Sequence, residues 1–138
     1  MNLYEAVYGR KSVRKYRMEP LNQNILSGIF AFMDQMEPLF PGIKIKLEIV
    51  ENLEKKRQMK GLFLINAPYY LIYSEDKERA WLNAGYIMEQ LSLYLVTKGV
   101  GSCFLGMSKK KNDVPEEGMK YILALAFGKP AGPLLRQG

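Results

Sequence analysis

A cluster of cations and one hydroxyl at residues 10–16 is the part of this chain best equipped for chemistry. The seven residues read Arg-Lys-Ser-Val-Arg-Lys-Tyr and carry four positive charges. Arg offers a planar fork of donors, Lys a mobile charge and Ser a short hydroxyl, so the cluster can bind a phosphate by charge and by hydrogen bonds. The alternative is a solvated basic stretch that binds nothing. The cluster alone does not distinguish a phosphate site from a solvated basic stretch, so the other features of the sequence are needed.

The residue types that most enzymes use for acid–base chemistry are scarce. The chain has no histidine and one cysteine, Cys103. Ser-His-Asp and Cys-His catalysis are therefore excluded, and the composition does not favour a zinc site. Cys103 lies among apolar residues, which is typical of a small core residue. An enzyme of this composition would rely on a cofactor, so we expect no catalytic side chain and no metal.

Length and charge limit the class of protein. The chain has 138 residues, 48% of them hydrophobic, which predicts one domain over residues 1–138. No signal peptide and no long uncharged apolar stretch is evident, so we expect a cytoplasmic protein with no membrane partner. The net charge of +6 is compatible with an anionic ligand or with nucleic acid. No known nucleic-acid module accompanies it, so we expect no nucleic-acid partner and keep a basic nucleic-acid-binding module only as the weaker alternative.

Hydrophobic spacing predicts the elements that position the cluster. Helices are predicted over residues 2–9, 26–36, 51–60 and 83–98, strands over 43–49, 69–73, 102–105 and 121–127, and a surface loop over 109–118. The helix over 83–98 is apolar nearly all round, so it should be buried in the domain centre or in a subunit interface. This order of elements predicts a mixed sheet flanked by helices.

Five short motifs then occur in a fixed order along nearly the whole chain. They are Arg10 to Tyr16, Ala67-Pro68, the helix that begins Asn83-Ala84-Gly85, the run Gly99-Val100-Gly101-Ser102 with Phe104-Leu105-Gly106, and the closing Phe127-Gly128-Lys129-Pro130. In this order the chain resembles the FMN-dependent nitroreductase family, in its short, thermophile-type branch. The resemblance implies an α+β fold, a nitroreductase-like sandwich whose mixed sheet is largely antiparallel.

The resemblance also implies roles for the basic cluster. The residues that it matches to FMN contacts are Arg10, Lys11, Ser12 and Arg14. Arg10 and Ser12 match the phosphate and ribityl contacts, and Lys11 lies where the family often has a second basic group. Arg14 matches a cation near the pyrimidine edge of the flavin ring. A positive charge there would stabilise the reduced, anionic flavin. The alternative for Arg14 is a surface ion pair with Glu5 or Glu19.

Two further segments match the cofactor site of the family. Phe104, Leu105 and Gly106 fall where the family's backbone passes the flavin ring, and a backbone N–H there would donate to flavin N5. An ordinary turn at the end of a strand is the alternative. Arg136 matches the beginning of a basic stretch that touches the phosphate. The family's C-terminal arm, which wraps the partner subunit, is expected to be lacking in the sequence up to Gly138.

The function implied by the resemblance is that of an NAD(P)H-dependent oxidoreductase. Hydride would pass from NAD(P)H through flavin N5 to a small electron-poor acceptor, a nitroaromatic or a quinone, in a ping-pong sequence. The chain would work as a homodimer with FMN at the interface. A flavin-binding module without turnover stays open as the other interpretation.

Overall fold

The computed structural model describes residues 1–53, 59–60, 67–79, 81–106, 109–110 and 117–135. The helices are α1 (Leu3–Gly9), α2 (Gln23–Gln35) and α3 (Ala84–Thr97). The strands are β1 (Ile45–Glu51), β2 (Met59–Lys60), β3 (Tyr69–Asp76), β4 (Gly101–Gly106), β5 (Lys109–Lys110) and β6 (Met119–Gly128). In the described part of the chain, no helix is long and apolar enough to cross a membrane.

Four strands form one antiparallel sheet in the order β1-β3-β6-β4. The short strands β2 and β5 pair with each other separately. The central strands β3 and β6 are apolar runs because both of their faces are covered, as the sequence predicted for residues 69–73 and 121–127. The predicted α+β fold is confirmed.

Two predicted elements differ from the structure. The segment 51–60 was expected to be helical, but Glu51 ends β1 and Met59–Lys60 is a strand, while 54–58 lies outside the described residues. The expected loop over 109–118 contains strand β5 at its start, and 111–116 is not described. Both segments are polar, and the pairing of β2 with β5 joins residues fifty positions apart, which local periodicity does not detect.

The helix ends follow their sequence signals. The Asn2 side chain accepts a hydrogen bond from Glu5 N at 2.8 Å and so caps α1. Just beyond the C-terminal end of α3, Gly99 takes a positive φ of 76°, and Val100 N donates to Leu95 O at 2.9 Å. This is the glycine-terminated helix end that turns the backbone sharply, and it directs the chain from α3 into β4.

The sheet has a core on each face. On one face α3 and α2 pack against β3 and β6, with Phe32 stacked on Tyr94 at 4.3 Å between the helices. Burial of α3 was predicted either in the domain centre or in a subunit interface, and its fully buried Ile87 and Leu91 lie in the core of the domain. The opposite face has a smaller core, which includes Val13 and Tyr16 of the basic cluster. The cluster is therefore anchored in the fold rather than attached to its surface.

Candidate functional site

The basic segment, residues 10–17, lies between strand β4 and the segment 129–135. On one side, Val13 N donates to Ser102 O at 2.9 Å, and Ser12 forms a parallel bridge with Ser102. On the other side, Arg17 N donates to Lys129 O and Ala131 N donates to Lys15 O, both at 2.9 Å. Backbone hydrogen bonds on both sides thus fix a charged segment that would otherwise be free to move in solvent.

Two glycines make this close approach possible. A Cβ added to Gly101 would lie 2.8 Å from Cγ2 of Val13 in the basic segment. One added to Gly128 would lie 3.3 Å from Cδ1 of Tyr16 in the same segment, and 2.4 Å from Pro68 Cγ. Neither Gly101 nor Gly128 has a positive φ. Glycine is therefore needed at these positions for space and not for backbone conformation. The basic segment can pack against β4 only because Gly101 has no side chain.

Arg10 joins the basic segment to both α3 and β4. Its Nε donates to Ser92 Oγ of α3 at 3.0 Å, and its Cζ lies 5.0 Å from the centre of the Phe104 ring. Arg10 N also donates to Ala6 O at the end of α1, and Arg10 forms an antiparallel bridge with Leu135. The Arg10 guanidinium therefore contacts two residues far away in the sequence, Phe104 through a cation–π interaction and Ser92 through a hydrogen bond.

Two buried polar atoms at this junction have no hydrogen-bond partner within the described chain. They are Arg10 Nη2 and Ser102 Oγ. Ser102 and Phe104 are two positions apart on β4 and so project from the same face of the strand. A buried donor without a partner is costly, and more so when it carries charge. The pair is suited to an anionic, hydroxyl-bearing ligand, which would supply the missing acceptor and donor.

The backbone of β4 adds further groups along its outer edge. β4 is the last strand of its sheet, and the Ser102 carbonyl points outward to the basic segment. Because the register with β6 is regular, backbone groups alternate between the two edges of the strand. The N–H groups of Phe104 and Gly106 therefore point outward, whereas that of Leu105 points to β6. Of the predicted residues Phe104, Leu105 and Gly106, the first and third thus have backbone N–H groups on the outer edge of the strand.

The buried Tyr16 side chain connects the basic segment to strand β6 of the sheet. Its hydroxyl donates to Val13 O and lies 3.3 Å from Ala126 O. Burial, and next the neighbouring Cys103 thiol, raise the pKa of Tyr16 well above its ordinary value. The phenol therefore stays protonated and acts as a hydrogen-bond donor that holds the turn at Val13.

The other predicted residues of the basic segment differ in exposure. Lys11 and Ser12 are half-buried, and Arg14 is exposed on the outside of the segment. Among the described residues, no ion pair joins Arg14 to Glu5 or to Glu19, the two predicted alternatives, and Glu19 pairs with Lys129 at 3.3 Å. Arg136 lies outside the described residues, next to Leu135, which bridges Arg10.

Sequence reasoning missed Ser92 and Ser102 as members of the site. Ser92 is a fully buried polar residue on the apolar stripe of α3, between Leu91 and Leu95. A lone hydroxyl at such a position was the available signal, because buried polar groups normally have a specific partner. Ser102 was noted as part of a glycine motif, but nothing in its spacing indicated that its hydroxyl would be left without a partner.

The comparison with protein families identifies the class. The model of the family described as "Putative TM nitroreductase" matches residues 2–137. The chain therefore belongs to this nitroreductase family and is an oxidoreductase by class. The comparison with curated proteins found no match.

Several solved structures are similar to this chain in fold. A nitroreductase family protein from Clostridium novyi is 17% identical, with a TM-score of 0.71 over 94% of this chain and 87% of that one. An FMN-dependent nitroreductase from Clostridium difficile is 15% identical, with a TM-score of 0.71 over 99% and 95% of the two chains. Nitroreductase A from Vibrio parahaemolyticus is 13% identical, with a TM-score of 0.69 over 100% and 72%. The chain is similar to all three in fold.

Proposed function

We propose that the protein is an FMN-dependent oxidoreductase that uses NAD(P)H to reduce a small electron-poor acceptor, such as a nitroaromatic or a quinone. The observation that carries the proposal is the position of Arg10, whose guanidinium packs on Phe104 while its Nη2 is buried without a partner in the described chain. This is the arrangement expected of a phosphate site that adjoins the surface for a flat ring. The similarity in fold to a protein whose name includes FMN dependence supports the choice of cofactor.

The residues present fit FMN in charge and in hydrogen-bonding capacity. Arg10 and Ser12 would hold its phosphate, with Lys11 contributing charge, and Arg136 would follow from the adjoining segment. Arg14, exposed on the same segment, would face the pyrimidine edge of the ring. The outward N–H groups of Phe104 and Gly106 would donate to the polar edge of the ring along β4.

The chemistry that bound FMN supplies is hydride transfer through N5 from NAD(P)H to the acceptor, in two alternating half-reactions. The chain itself contributes binding, orientation and charge. Arg14 would favour the reduced, anionic form of the bound flavin, because its positive charge stabilises the more negative state. No side-chain acid is assigned, since solvent can protonate the released product.

The surface of α1 supports assembly as a homodimer with FMN at the interface. Four large side chains of this seven-residue helix are about half exposed or more, namely Leu3, Tyr4, Val7 and Tyr8. Arg10 caps the same helix, so a second subunit packed on α1 would also cover the basic segment. Apolar side chains concentrated on one short helix are typical of an interaction surface.

Purification followed by a visible spectrum tests the cofactor and the activity separately. We expect bound or added FMN to absorb at ~450 nm, to be bleached by NADPH or NADH without oxygen, and to regain colour on addition of a quinone. FMN that binds but is not bleached would indicate the non-catalytic flavin-binding module. A protein that does not take up added FMN would refute the proposal. Sedimentation equilibrium, with and without FMN, gives the oligomeric state.

A further inference from the structure

We propose that Ser92, in the middle of α3, is a positioning residue that orients the Arg10 guanidinium toward the FMN phosphate. This inference rests on the proposed function. Ser92 is separated from Arg10 by 82 positions, and its side chain is fully buried. It lies on the helix that covers the sheet, out of reach of solvent, so its hydroxyl has a role inside the fold.

The direction of the hydroxyl makes Ser92 an acceptor. Its O–H donates to Glu89 O, three residues earlier in α3, at 2.9 Å. Because the single proton is used in this bond, the lone pairs of Oγ remain for the Arg10 Nε–H, which donates to it at 3.0 Å. The helix backbone thus sets the orientation of the serine, and the serine sets that of the arginine.

The two contacts on Arg10 restrain different parts of the guanidinium. Ser92 binds Nε at one edge of the planar group, and the Phe104 ring lies against its face at 5.0 Å. A planar group held at one edge and one face has little rotational freedom. Nη2, which is buried and without a partner among the described residues, is consequently held ready for an incoming acceptor.

Ser92 therefore acts on the ligand through Arg10 and not by contact. The predicted consequence is specific to the phosphate. A flavin without a phosphate gains nothing from an oriented guanidinium, whereas FMN gains a donor in a fixed place. Riboflavin, which has the same ring and ribityl chain but no phosphate, is the matched ligand for testing this difference.

The experiment measures FMN and riboflavin dissociation constants by flavin fluorescence for wild type, Ser92→Ala, Arg10→Ala and the double variant. We expect Ser92→Ala to weaken FMN binding by about tenfold and riboflavin binding by less than about twofold. In the Arg10→Ala background, Ser92→Ala should change FMN binding by less than about twofold, because the residue through which it acts is gone.

Two control variants separate positioning from helix stability. Thr97→Val removes a hydroxyl that also donates to the carbonyl three residues earlier in α3, at 2.5 Å, and we expect it to leave both affinities unchanged. Ser92→Thr keeps the acceptor oxygen and should restore FMN binding, which also covers the case in which Ser92→Ala does not fold.

Three results would overturn this inference alone. The first is an equal loss of FMN and riboflavin affinity in Ser92→Ala, and the second is an undiminished effect in the Arg10→Ala background. The third is FMN binding by the wild type that Ser92→Ala does not change. Failure of the wild type to bind FMN would overturn the proposed function and this inference together.

Discussion

Replacing Gly101 by alanine should separate the basic segment from β4. The added Cβ would lie 2.8, 2.9 and 3.0 Å from Cγ2, Cβ and Cγ1 of Val13, where ordinary contacts are 3.4–4 Å. Rotation of the Val13 side chain cannot relieve the contact to its Cβ, so the backbone of the segment must move by several tenths of an ångström. The hydrogen bond from Val13 N to Ser102 O lies beside this contact and would lengthen.

The expected cost follows from two opposing effects. Overpacking of this kind destabilises by about 1–3 kcal/mol. The loss of glycine's freedom in the unfolded chain returns about 0.5–1 kcal/mol. The net effect lies between about 0 and 2.5 kcal/mol, and because three atoms of Val13 are crowded we expect Gly101→Ala to lower the free energy of unfolding by at least about 1 kcal/mol. FMN binding should also weaken, because Arg10 and Ser12 belong to the displaced segment.

Urea unfolding and FMN titration measure the two effects. The control is Gly85→Ala in α3, where an added Cβ meets nothing within 4 Å and should be neutral or stabilising. Val13→Ala removes Cγ1 and Cγ2 but leaves Cβ 2.9 Å from the added group, so the double variant should recover part of the FMN affinity and show an interaction energy of about 1 kcal/mol. A Gly101→Ala protein with wild-type stability and FMN affinity would refute the packing argument, as would strict additivity with Val13→Ala.

Three other changes test the surrounding contacts. Arg10→Ala combined with Ser12→Ala should weaken FMN binding by ~2–5 kcal/mol through the loss of charge-assisted contacts; unchanged affinity in a flavin titration would mean that the phosphate binds elsewhere. Gly128→Ala should destabilise the chain in urea more than Gly101→Ala does, because its Cβ would meet the rigid ring of Pro68 at 2.4 Å. The raised pKa of Tyr16 predicts stability that is fully present below its ordinary value of 10.0 and is lost as the pH rises above it. Tyr16→Phe should flatten that alkaline loss in unfolding measurements at pH 8–11, and an unaltered slope would contradict the assignment.

The elements with strong periodic patterns could be predicted because each buries a continuous apolar face. The stripe of α3, the apolar runs of β3 and β6 and the glycine at the end of α3 all have local signatures, and the structure has these elements within about three residues of the predicted bounds. The polar segments 51–60 and 109–118 lack such a face. Their pairing as β2 and β5 depends on partners far away in the chain, so local pattern indicated a helix and a loop instead.

The candidate site divides in the same way. The order of the five motifs was enough to predict the family by resemblance, and the oxidoreductase class followed from that resemblance. The charge of the basic cluster and the absence of histidine only limited the possible chemistry. Only the tertiary structure decided which residues meet. It brings Arg10 onto Phe104 and Ser92, turns the backbone of Phe104 and Gly106 outward but not that of Leu105, and leaves Arg14 exposed. These facts depend on strand register and on contacts across 80 to 95 positions of the chain, which spacing along the sequence does not encode.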